Sequence, residues 1–130
     1  MDGPRAAAIA REAARGQGTY FKALSEQMCW DAVAACQNKP PGRHIDENDQ
    51  VVGNADALMS IPEGATIGFF APGTLVHVMI GLGNGEAAGN KNACIGTGNP
   101  IGWEILDLMP YWNGSDFGPR NLTVRFRPLT

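Results

Sequence analysis

Two periodicities divide the chain. Apolar positions recur at helical spacing as far as about residue 38, and from Ile61 onward they alternate with a period of two. The first segment predicts a helix, with Asp2 as N-cap, Pro4 in the first turn, an Ala-rich body and Gly16 as a stop. A second helical run extends from about Thr19 to Asn38 and is ended by Lys39-Pro40-Pro41-Gly42. Ser25 inside that run is a candidate N-cap that would break it into two helices before Cys29. Arg43 to Gly53 is polar and acidic and predicts a surface loop, while 54–60 predicts one short helical turn.

The second half predicts strands. Thr66–Phe70 is one, Ala71-Pro72-Gly73 is a turn, and Thr74–Leu82 is the clearest strand of all. Gly83-Asn84-Gly85 supplies a strong hairpin signal, and Glu86 to Ile95 returns as its partner. Trp103–Met109 and Leu122–Phe126 predict two more strands, with a Gly- and aromatic-rich loop over 110–119 between them. Helices first and an antiparallel meander second make an α+β layout. At 130 residues the whole span, 1–130, is expected to form a single domain.

Composition mainly excludes. Apolar residues are 44% of the chain, enough for a core, and no stretch approaches the ~20 apolar residues of a membrane helix. Ten basic against thirteen acidic residues give a net charge of -3, which argues against nucleic acid and anionic membranes as partners. The opening residues lack the apolar block of a signal peptide. Three cysteines, Cys29, Cys36 and Cys94, cannot form a complete disulfide framework. Cys29 and Cys36 are two helical turns apart, too far for a bridge, while a Cys36–Cys94 bridge stays open. With no CxxC pair and no histidines at ligand spacing, zinc is not expected.

Candidate chemistry centres on Cys29 and His77. Cys29 precedes Trp30-Asp-Ala-Val-Ala-Ala-Cys36, a sequence suited to an amphipathic helix. At the head of that helix the sulfur would meet unpaired N–H groups, which stabilise a thiolate and can hold an oxyanion. The competing reading is a small, inert core residue, and only a base in the right place decides against it. His77 is the preferred base. Alternation puts Val76, Val78, Ile80 and Leu82 on one face and Leu75, His77, Met79 and Gly81 on the other. A two-residue Asn84-Gly85 loop would pair Gly83 with Glu86 and carry the register to His77 opposite Asn92, with Asn90 diagonal on the same face. An asparagine oxygen there could accept the imidazole N–H and orient the ring. A three-residue loop would instead turn both asparagines away, and a lone histidine in an apolar strand also fits a bonded core residue. His44, in the polar loop, reads as a solvated residue at a cleft rim, and Tyr20 and Gln27 are weaker candidates for an oxyanion donor. The glycines at 81, 83 and 85 fit the hairpin better than a phosphate loop, since no helix follows them.

Cys, His and Asn in that chain order are the arrangement of papain-type catalysis. Ile61-Pro-Glu-Gly-Ala-Thr-Ile-Gly-Phe-Phe70 followed by His77-Val-Met-Ile-Gly-Leu-Gly-Asn-Gly85 resembles the NlpC-type cysteine peptidases, whose members show a PGD-led apolar strand and then HVGIYLGNG. The resemblance spans roughly Cys29 to Gly85. It departs at Met28-Cys29-Trp30-Asp31, where the family usually has Asp-Cys-Ser-Gly, and at Gly89, near which the family often has a third histidine. Cys-Trp at a helix head also resembles papain itself. The resemblance implies a papain-like fold, with the nucleophile helix packed on an antiparallel sheet that bears the base. It implies a cysteine hydrolase that cleaves a peptide or amide bond through a thioester, using Cys29, His77 and Asn92 or Asn90 and no cofactor. Peptidoglycan stem peptides are the first substrate class implied, and an amidase toxin or effector with an immunity partner and a dedicated secretion route is the implied setting. The alternatives are a papain-like deamidase, transglutaminase or acyltransferase, and a non-catalytic binding module.

Overall fold

A computed structural model describes residues 1–15, 28–90, 102–113, 116–117 and 121–129. In chain order these form α1 (Gly3–Ala14), α2 (Cys29–Cys36), β1 (Gln50–Val51), α3 (Ala55–Met59), β2 (Thr66–Ala71), β3 (Thr74–Gly83), β4 (Glu86–Asn90) and β5 (Trp103–Asp107). A 3-10 turn (Met109–Tyr111), β6 (Trp112–Asn113), β7 (Asp116–Phe117) and β8 (Thr123–Arg127) complete them. The fold is α+β: one six-stranded antiparallel sheet in the order β1-β8-β2-β3-β4-β5, with β6 and β7 as a separate small hairpin.

Local chemistry explains the helix starts. The Asp2 side chain accepts the N–H of Arg5 at 2.8 Å, and Asn54 accepts that of Ala57 at the head of α3. α2 differs, because its N-cap is Met28 and no side chain among the described residues caps it. The expected cap Ser25, the stop at Gly16 and the run from Thr19 to Gln27 lie outside the described residues.

The sheet separates two cores. On the helical face, Ala6, Ala10, Cys29, Val33 and Cys36 pack on Val78, Ile80, Leu82, Ala88 and Trp103. The Trp103 indole N–H donates to the Ala10 carbonyl at 3.0 Å, tying α1 to β5. On the opposite face, Ile67, Phe69, Met79, Ala87 and Val124 lie under Val52, Leu58 and Leu108. The start of α1 meets the chain before β2 through two glycines: a Cβ on Gly64 (φ +83°) would stand 2.5 Å from Gly3 Cα.

Two β-bulges revise the register expected from alternation. The β3–β4 loop has two residues as expected, with Asn84 (φ 54°) and Gly85 (φ 78°) both left-handed and Gly83 paired with Glu86. The next pairs, however, are Gly81 with Ala87 and Ile80 with Ala88, so Leu82 is an extra residue. Arg11 of α1 holds that bulge by donating to the Leu82 carbonyl at 2.7 Å. The register is therefore moved by one at the Gly81–Ala87 and Ile80–Ala88 pairs, while Asn92, the expected partner of His77, lies outside the described residues. A second bulge separates the pairs Phe69–His77 and Phe70–Leu75 and leaves Val76 unpaired. It turns Leu75 to the helical face and Val76 to the opposite one, the reverse of simple alternation.

Two expected loops also hold structure. The 43–53 segment contributes β1 and buries Ile45 and Val52, and 110–119 contains β6 and β7.

Candidate functional site

Cys29 is the first residue of α2 and is 9% exposed, at the seam between the helix and β3. Its thiol faces three backbone N–H groups: those of Cys29 and Trp30 at the head of the helix, and that of Val78 from the sheet. The donor from Val78 belongs to a different element, so the thiol sits where helix end and strand meet. Such a set would favour a thiolate or an oxyanion in this position. Burial nonetheless dominates and pushes the Cys29 thiol above its ordinary value; the three N–H groups pull it down without reversing this, and the Asp31 carboxylate pushes it further up. The expected activation by the helix end is therefore outweighed in this state.

Around Cys29 the loop after α2 folds back along the helix. The Gly42 N–H donates to Asp31 Oδ1 at 2.8 Å, and the Arg43 guanidinium lies 4.4 Å from the Trp30 ring centre. His44 follows with Nε2 2.8 Å from the Pro40 carbonyl, a loop residue as expected. Cys36 ends the same helix, wholly buried, with its thiol pushed up to about 12 by burial. Both thiols are free.

His77 lies on the other side of the sheet. It is Cα partner to Phe69, and the two rings stack with centroids 5.9 Å apart and planes 22° from parallel. Phe69 belongs to the core opposite α1 and α2. The His77 ring is 1% exposed, its Nδ1 meets no hydrogen-bond partner among the described residues, and burial pulls its pKa down to about 4. Val78 therefore touches the thiol while the side chain one residue earlier points away from it. The structure does not bring Cys29 and His77 together.

Asn90 is the last residue of β4, paired with Trp103, and has the parity of Ala88, on the helical face. It shares a face with Cys29 rather than with His77, contrary to the expected diagonal. Asn92, Tyr20, Gln27 and Cys94 fall outside the described residues. No group of three His, Cys, Asp or Glu side chains converges to hold a metal among the described residues, and no described helix is long and apolar enough to cross a membrane.

Sequence reasoning missed two groupings on the helical face: Arg43 on Trp30, and the Ile45 and Phe70 side chains over Gly68. Only the bareness of Gly68 within an apolar strand signalled that something packs closely there.

Comparison with known proteins returns no matching family model, no matching curated protein and no matching solved structure.

Proposed function

We propose that this protein is a cysteine hydrolase of the papain-like kind that cleaves a peptide or amide bond through a thioester on Cys29. The observation that supports it is the thiol at the head of α2 among the N–H groups of Cys29, Trp30 and Val78. In this reading the thiolate attacks the carbonyl carbon, and those N–H groups take the developing negative charge on oxygen. The proton that the thiol loses is taken by His77 and passed to the nitrogen of the leaving amine; water, giving a proton back through the same ring, then releases the acid from the thioester and restores the thiol.

The reading carries a structural requirement. His77 is the base that the resemblance assigns, and it is held against Phe69 on the far face. Moving the existing bulge from Val76 to His77 would leave the pairing from Val78 onward unchanged and free His77 from its place opposite Phe69. Catalysis thus requires β3 to re-pair when substrate arrives. Peptidoglycan stem peptides are the first substrates to try, as for an amidase toxin or effector.

A second reading, a non-catalytic binding module, is favoured by the separation of Cys29 and His77. The experiment is amide hydrolysis and bacterial lysis by wild type, Cys29→Ala and His77→Ala. Loss of activity in both variants supports the hydrolase, while equal activity in wild type and Cys29→Ala contradicts it. Mass spectrometry of the products separates hydrolysis from deamidation, which adds about one dalton and cuts no chain.

A further inference from the structure

The helical face of the sheet is unevenly covered. α1 and α2 lie over β3, β4 and β5, whereas β8 is covered by the loop that reaches Asp49, where Arg125 and Arg127 are anchored. Two adjoining clefts of about 400 Å³ and 470 Å³ remain there and share Glu47, Phe70 and Gly73. Arg43 lines the first and Arg125 the second.

The cations of these clefts are not equally engaged. Arg127 is held by Asp49 at 2.8 Å and by Asp46 at 3.5 Å. Arg43 rests on Trp30, and Arg125 gives one N–H to the Asp49 carbonyl and lies 5.9 Å from the Phe70 ring centre. Neither has a carboxylate within ion-pair distance among the described residues. Each guanidinium offers five donors, so both retain unused N–H groups beside an apolar ring.

The clefts also lead towards the thiol. A Cβ on Gly68 would stand 2.8 Å from Phe70 Cε1 and 3.0 Å from Ile45 Cδ1. Gly68 is paired with Val78, whose N–H faces Cys29. The Phe70 wall is therefore about one strand spacing, ~4.8 Å, from the strand that contacts the thiol. Glu47 lines both clefts and Asp46 the first, so a polyphosphate would be repelled, whereas a peptide presents a single carboxylate that one arginine can hold.

We propose that these clefts bind a peptide bearing a carboxylate side chain, its stem against Phe70 and its carboxylate on Arg43 or Arg125, beside the bond offered to Cys29. The last clause rests on the hydrolase reading; the binding does not.

The test uses full-length Cys29→Ala protein and two acetylated, amidated pentapeptides that differ only in a central glutamate or glutamine. Titration followed by NMR or calorimetry is expected to give about tenfold tighter binding of the glutamate peptide, the scale of one charge-assisted hydrogen bond. The preference should shrink in Arg43→Gln and Arg125→Gln proteins with unchanged melting temperature, and Arg43→Glu should favour a lysine peptide. Equal binding of the two peptides, or a preference untouched by either arginine substitution, overturns the proposal. Glutamate preference without hydrolysis by wild type supports the binding site and counts against the hydrolase; hydrolysis without preference does the reverse.

Discussion

The two faces of one sheet hold Cys29 and His77 under opposite conditions. Cys29 lies buried at a seam between helix and strand, with backbone donors turned towards it. His77 is sealed between Phe69 and the far core, its Nδ1 without a hydrogen-bond partner among the described residues. Val78 joins the two environments, since its N–H faces the thiol and its neighbour His77 points the other way. Adjacent residues on a strand take opposite faces, so closeness in sequence to the site's backbone says nothing about which side a ring will occupy.

The largest expected effect comes from breaking the far face. Phe69→Ala removes a fully buried ring and should cost about 3–5 kcal/mol in denaturant unfolding. It should also let water reach His77 and move its titration, followed by NMR, back towards the ordinary histidine range. A His77 titration unaffected by the change would mean that Phe69 does not seal it.

The second effect is pH dependence. The folded His77 titrates at about 4 and the unfolded one near 6.5. Between those values the unfolded chain binds the extra proton, so stability is complete above pH 6.5 and falls as pH drops towards 4. The loss amounts to about 3 kcal/mol, on the order of 1.4 kcal/mol per pH unit. His77→Phe keeps the stack and removes the titration, so its unfolding free energy should fall less than that of wild type between pH 7.5 and 4.5. Parallel decline in both proteins would contradict a buried neutral ring.

Smaller effects belong to the helical face. Arg11→Met removes the donor to the Leu82 carbonyl and should cost about 1 kcal/mol, with faster amide exchange around the β3–β4 turn. Cys29→Ala keeps a small apolar side chain at the seam and should change stability by under about 1 kcal/mol, which makes it a fair control for activity.

Much of this fold was legible in the sequence, for local reasons. Asp2 and Asn54 cap their helices through their own side chains, and Pro72-Gly73 and Asn84-Gly85 sit in the turns they favour. The bulges were not legible, because their causes are non-local: Arg11, 71 residues away in sequence, holds the Leu82 carbonyl. Alternation counted straight through Val76 and Leu82 and so misplaced Leu75, Val76 and the β4 partners of Gly81 and Ile80. The elevated thiol of Cys29 was hidden for a similar reason, since the helix head is readable but the burial that outweighs it comes from a core assembled from distant segments. The Arg43–Phe70–Arg125 clefts draw on three distant segments, and no motif announces them.

The separation of thiol and imidazole is tested most directly by the pH dependence of iodoacetamide alkylation at Cys29, located by peptide mapping in wild type and His77→Phe. Both proteins should show the same single rise, with a midpoint above that of an ordinary thiol. An alkylation plateau that persists to pH 6 in wild type and vanishes in His77→Phe would show a thiolate–imidazolium pair, and would contradict the placement of the two side chains on opposite faces.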